Sequence, residues 1–542
     1  RSRFGRKLPH LSMARRLFGG LNMSRHVSRA MAGMATAGLV ASHTLAEPDN
    51  TVAALHGETG QEVSNWSSTH SACPALYFQP DSPDEIDRIV QTMHQAKQKL
   101  RVVGSALSPN GLGLSDDAML NMALCDRIIS VDKEQMQVTV QAGARVRDVV
   151  EAIRPFGLTL QNYASIAEQQ IGGFVSVGAH GTGACVPPVD EQVVRMRLHT
   201  PAVGSLELSE KANPRIFRLA RVGLGALGIV SEFTLQCVPA HKLLQHTFTE
   251  TRAGIVKRHT EHLQHKHMRY MWIPHTDTVV VVTCDPLPDE LPTMPEPPDE
   301  SFATAPLREL LLCKTSTVSP AAAAEMNFAQ LRDALLALNP LDKSHVVEVN
   351  RAEAQFWQRS EGHRIDWSDK ILGFECGGQQ WVSEVVIPCG TTDEPNGRDL
   401  EYMQDLLAMV ESSDLPTPSP IEQRWTLRSS SPMSPAHSPS ANDLHSWVGI
   451  IMYLPTEDDA ERAAITSKFW EYNDACRRRL WPKYGAHQHW AKIELPDNQA
   501  DKTWVKRRLR ERFPLSEFNE LRHQFDPEAI LVNRMLDEIV SD

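Results

Sequence analysis

The stretch Gln161 to Gly183, QNYASIAEQQIGGFVSVGAHGTG, sets five glycines (Gly172, Gly173, Gly178, Gly181 and Gly183) among small residues, with one histidine, His180. Glycine has no side chain and tolerates positive φ, so such a run lets backbone approach a large flat ligand closely. Its backbone N–H groups can also turn inward to hold anionic oxygens. The alternative is a glycine-rich turn between two strands, and the stretch alone does not choose between them.

Working outward, the upstream sequence adds a second loop of the same kind. Asp84 to Lys99 carries Ile86, Ile89, Val90, Met93 and Ala96 at helical spacing, behind Ser82-Pro83. The structured region is expected from about Trp66, and this helix leads into Leu100 to Val103, a short buried strand. It ends in GSALSPNGLG, Gly104 to Gly113, whose amides and Ser105 and Ser108 hydroxyls suit a phosphate or pyrophosphate. Gln137 to Ala142 alternates as a strand, and Val146 to Arg154 reads as a helix. Downstream, Gly223 to Gly228 matches GxGxxG, but a dinucleotide-binding βαβ unit needs a helix to follow. A strand, Ile229 to Val238, follows instead, which rejects that reading while keeping the close backbone approach.

Beyond Pro239 the pattern changes. Tyr270 to Pro274, Thr278 to Thr283, Trp381 to Pro388 and Trp447 to Leu454 read as strands. Phe328 to Leu338, Glu457 to Arg479 and the region after Asn498 read as helix. Asp285 to Pro320 is rich in Pro, Glu and Ser and is expected to be a surface insertion or linker. Ser412 to Ser440 is a second polar, Pro/Ser-rich stretch, interrupted by Ile421 to Thr426. No internal repeat is present.

A chain of 542 residues can bury a large core, and 41% hydrophobic with 23% charged residues is ordinary globular composition. The net charge of −12 argues against a general nucleic-acid binder. Nine scattered cysteines, without a CxxC pair or a zinc-spaced cluster, argue against a disulfide framework and structural zinc, and no metal site is expected. Residues 1 to 46 hold eight Lys/Arg and no acid, which reads as a mitochondrial targeting segment, against the alternative of a disordered tail. The apolar Met31 to Ala46 behind it is too short and weakly hydrophobic for a membrane span, and the pair fits sorting towards the intermembrane space.

Several segments together carry a specific resemblance: VVGSALSPNGLGLS (102–115), VTVQAGARV (138–146), LTLQNYASIAEQQIGGFVSVGAHGTG (158–183) and GLGALGIV (223–230). In the second half they are GFECGGQQWVSE (373–384), PIEQRW (420–425), WVGIIMYLP (447–455) and HWAKIELP (489–496). From about Trp66 onward the chain resembles the aldonolactone oxidoreductases of the vanillyl-alcohol-oxidase superfamily, most of all the mitochondrial branch that makes ascorbate in plants and algae.

The resemblance implies an α+β, two-domain flavoprotein. After the targeting segment (1–46) and a linker (47–65) come an FAD-binding domain (66–240) and a cap domain with an antiparallel sheet (241–480). A C-terminal segment (481–542) returns to the FAD domain. It also implies oxidation of L-galactono-1,4-lactone to ascorbate, with cytochrome c as electron acceptor and respiratory complex I as a possible associate. The rivals are an oxidase using O₂ and a non-catalytic complex I subunit or assembly factor. No nucleic acid is expected.

Carried over residue by residue, Leu107 stands where covalent-flavin relatives have a histidine, so the FAD is expected to be non-covalent. Ala106 replaces a loop glycine, and Ala164 stands where oxidase relatives have glycine, where its methyl could close a path for O₂. Val103, Gly104, Ser105, Ser108, Ser165, Gly172, Gly173, Gly178, His180, Gly181, Gly228, Ile229 and Val230 are the other expected cofactor contacts, with Lys492 as flavin or substrate neighbour. Glu422 and Arg424, at i and i+2, would share a strand face: the carboxylate for sugar hydroxyls, the guanidinium for negative charge. Cys376 matches a redox-sensitive thiol near the family's substrate site.

Overall fold

Behind a short pairing of Val63–Ser64 with Ser71–Ala72, three short strands form the first sheet of the computed structural model, which describes residues 52–288, 298–374 and 377–541. They are β1 (Leu76–Phe78), β2 (Arg101–Val103) and β3 (Ala118–Asn121), parallel in the order β1-β3-β2. The helix Pro83–Gln95 links β1 to β2 and buries Ile86, Ile89, Val90 and Met93, the spacing expected of it. Structure begins earlier than Trp66: a 3₁₀ turn spans Val52–Ala54, and Leu55 is buried in the main core.

A second sheet follows from β4 (Ile128–Asp132), β5 (Gln137–Gln141), β6 (Leu158–Leu160), β7 (Val193–Thr200), β8 (Gly204–Ser209) and β9 (Ile229–Pro239). It is antiparallel, ordered β8-β7-β9-β5-β4, with β6 on the end of β9.

The second half builds an eight-stranded antiparallel sheet. Its strands are β10 (Lys242–Thr251), β11 (His267–Trp272), β12 (Thr278–Pro286), β13 (Gly362–Trp367), β14 (Gln380–Thr391), β15 (Ile421–Leu427), β16 (Asp443–Tyr453) and β17 (His487–Gln488), ordered β13-β10-β12-β11-β15-β16-β14-β17. Alternation divides its faces. Tyr270, Val385, Ile421, Trp425, Val448 and Ile450 point into a core covered by the helices Arg252–His262, Arg398–Ser412 and Asp459–Arg479. The opposite face is left for the site. The chain is thus an α+β fold with antiparallel sheets.

The C-terminal residues Ile530, Leu531, Val532 and Leu536 join the core of the first two sheets. Leu100 N–H donates to Ile530 O (2.8 Å), and Asn533 Nδ2 donates to Leu114 O (2.7 Å).

One sequence expectation fails. Asp285 to Pro320 is not only a linker, because Glu300–Lys314 is a helix, capped by Asp299. Its Ala303, Leu307 and Leu311 recur at i,i+4, a stripe that the surrounding Pro and Glu obscure. Leu307 and Leu311 form a separate small core with Leu331, Leu335, Val346 and Val349 of two further helices. The Pro/Ser-rich stretch before Ser440 packs inside: Ser429, Ser431 and Ser434 are fully buried. Ser429 Oγ donates to Asp190 Oδ2 (2.6 Å), and the half-buried Ser430 Oγ donates to Glu191 Oε1 (2.6 Å). Among the described residues no helix is long and apolar enough to cross a membrane. The 1–46 segment lies outside them.

Candidate functional site

A cavity of about 540 Å³ lies where the glycine-rich loops meet the open face of β14, β15 and β16. The loop after β2 supplies Val103, Gly104, Ser105, Ala106, Leu107 and Ser108 to its wall. The opening stretch of the sequence supplies Ala164, Ser165, Gly172, Gly173 and His180, and the turn before β9 supplies Gly228 and Val230. Glu422, Arg424 and Lys492 line it from the other side.

The loops are held for close approach. Gly104 leaves the Gln170 side chain its place, since a Cβ would fall 2.7 Å from Gln170 Oε1 and push it aside. Gly225, at φ +68°, would collide with Val102. Ala106 sits at φ +50°, in the left-handed region where the family's glycine would be relaxed. Behind these loops the buried Arg101 donates to Leu112 O (2.8 Å), Leu224 O (2.7 Å) and Leu531 O (3.0 Å). Burial pulls its guanidinium down to about 10, still charged at neutral pH.

Not every expected contact lies on the wall. Ser105 Oγ donates to Glu168 O (2.8 Å), so its hydroxyl is already used within the protein. Gly178, Gly181 and Ile229 do not line the cavity. Gly181 is required by packing, as a Cβ would fall 1.9 Å from Asn162 Oδ1. Gly178 is required by its φ of +66°, and the Ile229 side chain is in the core. Cys376 lies outside the described residues.

On the sheet side, Glu422 and Arg424 share a face of β15, with Arg424 Nε 3.4 Å from Glu422 Oε2. The residue that organises them is Glu384 of β14, missed from sequence. It is 3% exposed and takes Arg424 Nη2 at 2.8 Å and Lys492 Nζ at 2.7 Å, with His180 Nε2 at 3.2 Å. Burial pushes this carboxyl up, but Lys492, His180 and Arg424 together hold it well below its ordinary value. His180 stacks on Trp447 (3.8 Å between centroids), and burial keeps its imidazole neutral by lowering its pKa. His180, Glu384 and His489 bring ligand-type atoms within 4.8 Å of one another. Lys492 and Arg424 on the same carboxylate would repel a metal ion there, so the donor set does not suit one.

Arg269 of β11 was also missed. Its Nη1 lies 3.5 Å from Glu422 Oε1, and its guanidinium stacks 3.8 Å over Phe374. Phe374 N–H in turn donates to Ser165 O (3.0 Å), tying the Ala164–Ser165 segment to this wall. The signal for Glu384 was present as alternation: Gln380, Val382 and Glu384 fall at i, i+2 and i+4 and all line the cavity. Arg269 gave no such signal, because only strand pairing brings it beside Arg424.

The cavity fits a flavin dinucleotide. Glycine backbone forms one wall, and the Gln169 and Gln170 Oε1 atoms are buried without a hydrogen-bond partner among the described residues. The comparisons agree. A family described as an FAD binding domain matches residues 74–208, and one described as D-arabinono-1,4-lactone oxidase matches 233–539. The mitochondrial L-galactono-1,4-lactone dehydrogenase of Arabidopsis thaliana is 48% identical over 88% of this chain and 81% of its own. L-gulonolactone oxidase of Bos taurus is 28% identical over 90% of this chain and 99% of its own. A crystal structure of cholesterol oxidase from B. sterolicum superposes with a TM-score of 0.69 at 14% identity, covering 92% of this chain and 100% of that one, a likeness of fold.

Proposed function

Since the chain belongs to the FAD-dependent aldonolactone oxidoreductases, we propose that it oxidises L-galactono-1,4-lactone to L-ascorbate and passes the electrons to cytochrome c. The observation that carries this is the Glu422–Arg424–Glu384–Lys492 array facing the glycine loops across one cavity. Such an array offers a carboxylate for sugar hydroxyls and two cations for a lactone carbonyl or a reduced cofactor.

Bound FAD supplies the acceptor for the two electrons and the hydrogen lost from C2 of the lactone. The chain supplies position and charge. Arg424, fixed at both ends by Glu422 and Glu384, donates to the lactone carbonyl. Glu422 accepts from a ring or side-chain hydroxyl. Glu384 holds the Lys492 ammonium by an ion pair (2.7 Å) at the cavity wall. Loss of C2–H and of the 2-hydroxyl proton leaves a 2-keto lactone, which enolises to ascorbate. Two cytochrome c molecules then take one electron each.

Leu107 offers no nucleophile, which supports a non-covalent cofactor. Ala164 on the cavity wall supports exclusion of O₂. In this reading residues 66–240 hold FAD, 241–480 form the cap and 481–542 close the site. The relatives named mitochondrial and the basic 1–46 segment support a mitochondrial location; a place at the inner membrane facing the intermembrane space, with complex I as a further partner, is part of the same proposal.

Lactone-dependent reduction of cytochrome c by the purified protein tests the proposal, with peroxide release measured in parallel. Fast cytochrome c reduction without peroxide is expected. Fast peroxide release would move the chain to the oxidases, and flavin freed by acid precipitation would confirm the non-covalent cofactor.

A further inference from the structure

Gly449 sits within β16, an 11-residue strand whose interior disfavours glycine. No local reason accounts for it. Its φ is not in the left-handed region. The pairing on both sides runs through it without a bulge. A Cβ built there would meet no heavy atom within 4 Å, so no neighbouring chain demands the space.

Its neighbours give it a use. In the sheet register Glu422 of β15 and Glu384 of β14 both pair with Gly449, one on each side. Strands lie about 4.8 Å apart, so two carboxylate-bearing residues flank a slot roughly 10 Å across, floored by backbone alone. Trp447 and Ile451 rise from the same face on either side along the strand. Arg424 reaches from Glu422 to Glu384 and yet stays clear of the position a Gly449 side chain would take. The slot opens into the cavity that the glycine loops line.

We propose that Gly449 is a specificity-determining residue of the lactone subsite. Its missing side chain admits the edge of the sugar lactone between Glu422 and Glu384, with the carbonyl within reach of Arg424. The inference rests on the reading that an aldonolactone occupies this cavity.

Gly449→Ala and Gly449→Val in the FAD-loaded full chain test it. The backbone conformation accepts either residue, and alanine meets no atom. Gly449→Ala is expected to bind FAD to the same stoichiometry and to melt at the same temperature or higher. The KM for L-galactono-1,4-lactone is expected to rise by about 10- to 100-fold, as one methyl group in a fitted pocket does. With kcat nearly unchanged, the loss is one of binding. Gly449→Val should go further in the same direction. An unchanged KM in both variants would overturn the inference while leaving the function intact. Loss of FAD from Gly449→Ala would also overturn it, by placing the cofactor over the slot. A wild-type flavin that the lactone does not reduce removes the functional reading itself.

Discussion

Glu384 is a carboxylate that burial alone would protonate, and three neighbouring nitrogens keep it ionised. Neutralising it leaves Arg424 and Lys492 side by side without their shared anion. Removing one member of a buried ion pair costs about 3–5 kcal/mol, so Glu384→Gln is expected to lower the urea midpoint clearly at neutral pH. Lactone oxidation should fall with it, because Arg424 loses one of its two anchors. A variant of unchanged stability and activity would show that the carboxylate organises nothing. Ala106 makes the opposite case. It holds a left-handed conformation, φ +50°, that costs an L-residue about 1–2 kcal/mol. Glycine relieves this at an entropic cost of about 0.5–1 kcal/mol. Ala106→Gly should therefore raise the melting temperature slightly with FAD still bound, and a fall would mean that the methyl group packs usefully.

At the scale of elements, Arg101 joins three separate segments by donating to a backbone carbonyl in each: the turn at Leu112, the turn at Leu224 and the tail at Leu531. Each buried carbonyl left unpaired costs about 1–3 kcal/mol. Arg101→Met is thus expected to weaken FAD retention and stability together, measured by flavin release on dilution and by thermal melting. The same elements mark what the sequence can say. The loops around Gly104, Gly172 and Gly228 are legible because glycine announces close approach by itself, and the strand Trp447 to Leu454 because its apolar run is continuous. Glu422 and Arg424 are legible because i,i+2 spacing on one strand puts them on one face. Glu384, Gly449 and Arg269 belong to three other strands, and their meeting depends on register across the sheet. Register is set by long-range pairing, which no local pattern encodes. The helix Glu300–Lys314 was hidden for a different reason: its apolar stripe is short and its flanks carry the composition of a linker.

For the whole molecule, several buried histidines share one kind of environment. Burial lowers His262, His267 and His445 each to about 4, and His487 to about 3. In the unfolded chain they titrate near 6.5. Between those values the unfolded state binds more protons, so stability rises with pH and is lost as pH falls from about 6.5 to about 4. Glu384 and Asp399, held low in the fold, extend that loss to more acid pH. Melting temperature is expected to drop steadily on acidification through this window, and a flat profile would mean that these imidazoles stay charged in the fold. The fold that these groups stabilise carries the cavity, built by glycine backbone on one side and a charged sheet face on the other. The most direct test is anaerobic mixing of the FAD-loaded protein with L-galactono-1,4-lactone while the oxidised-flavin absorbance is followed. Rapid bleaching, with one ascorbate formed per flavin reduced, is expected. A flavin that remains oxidised at saturating lactone would contradict the assignment of this cavity to lactone oxidation.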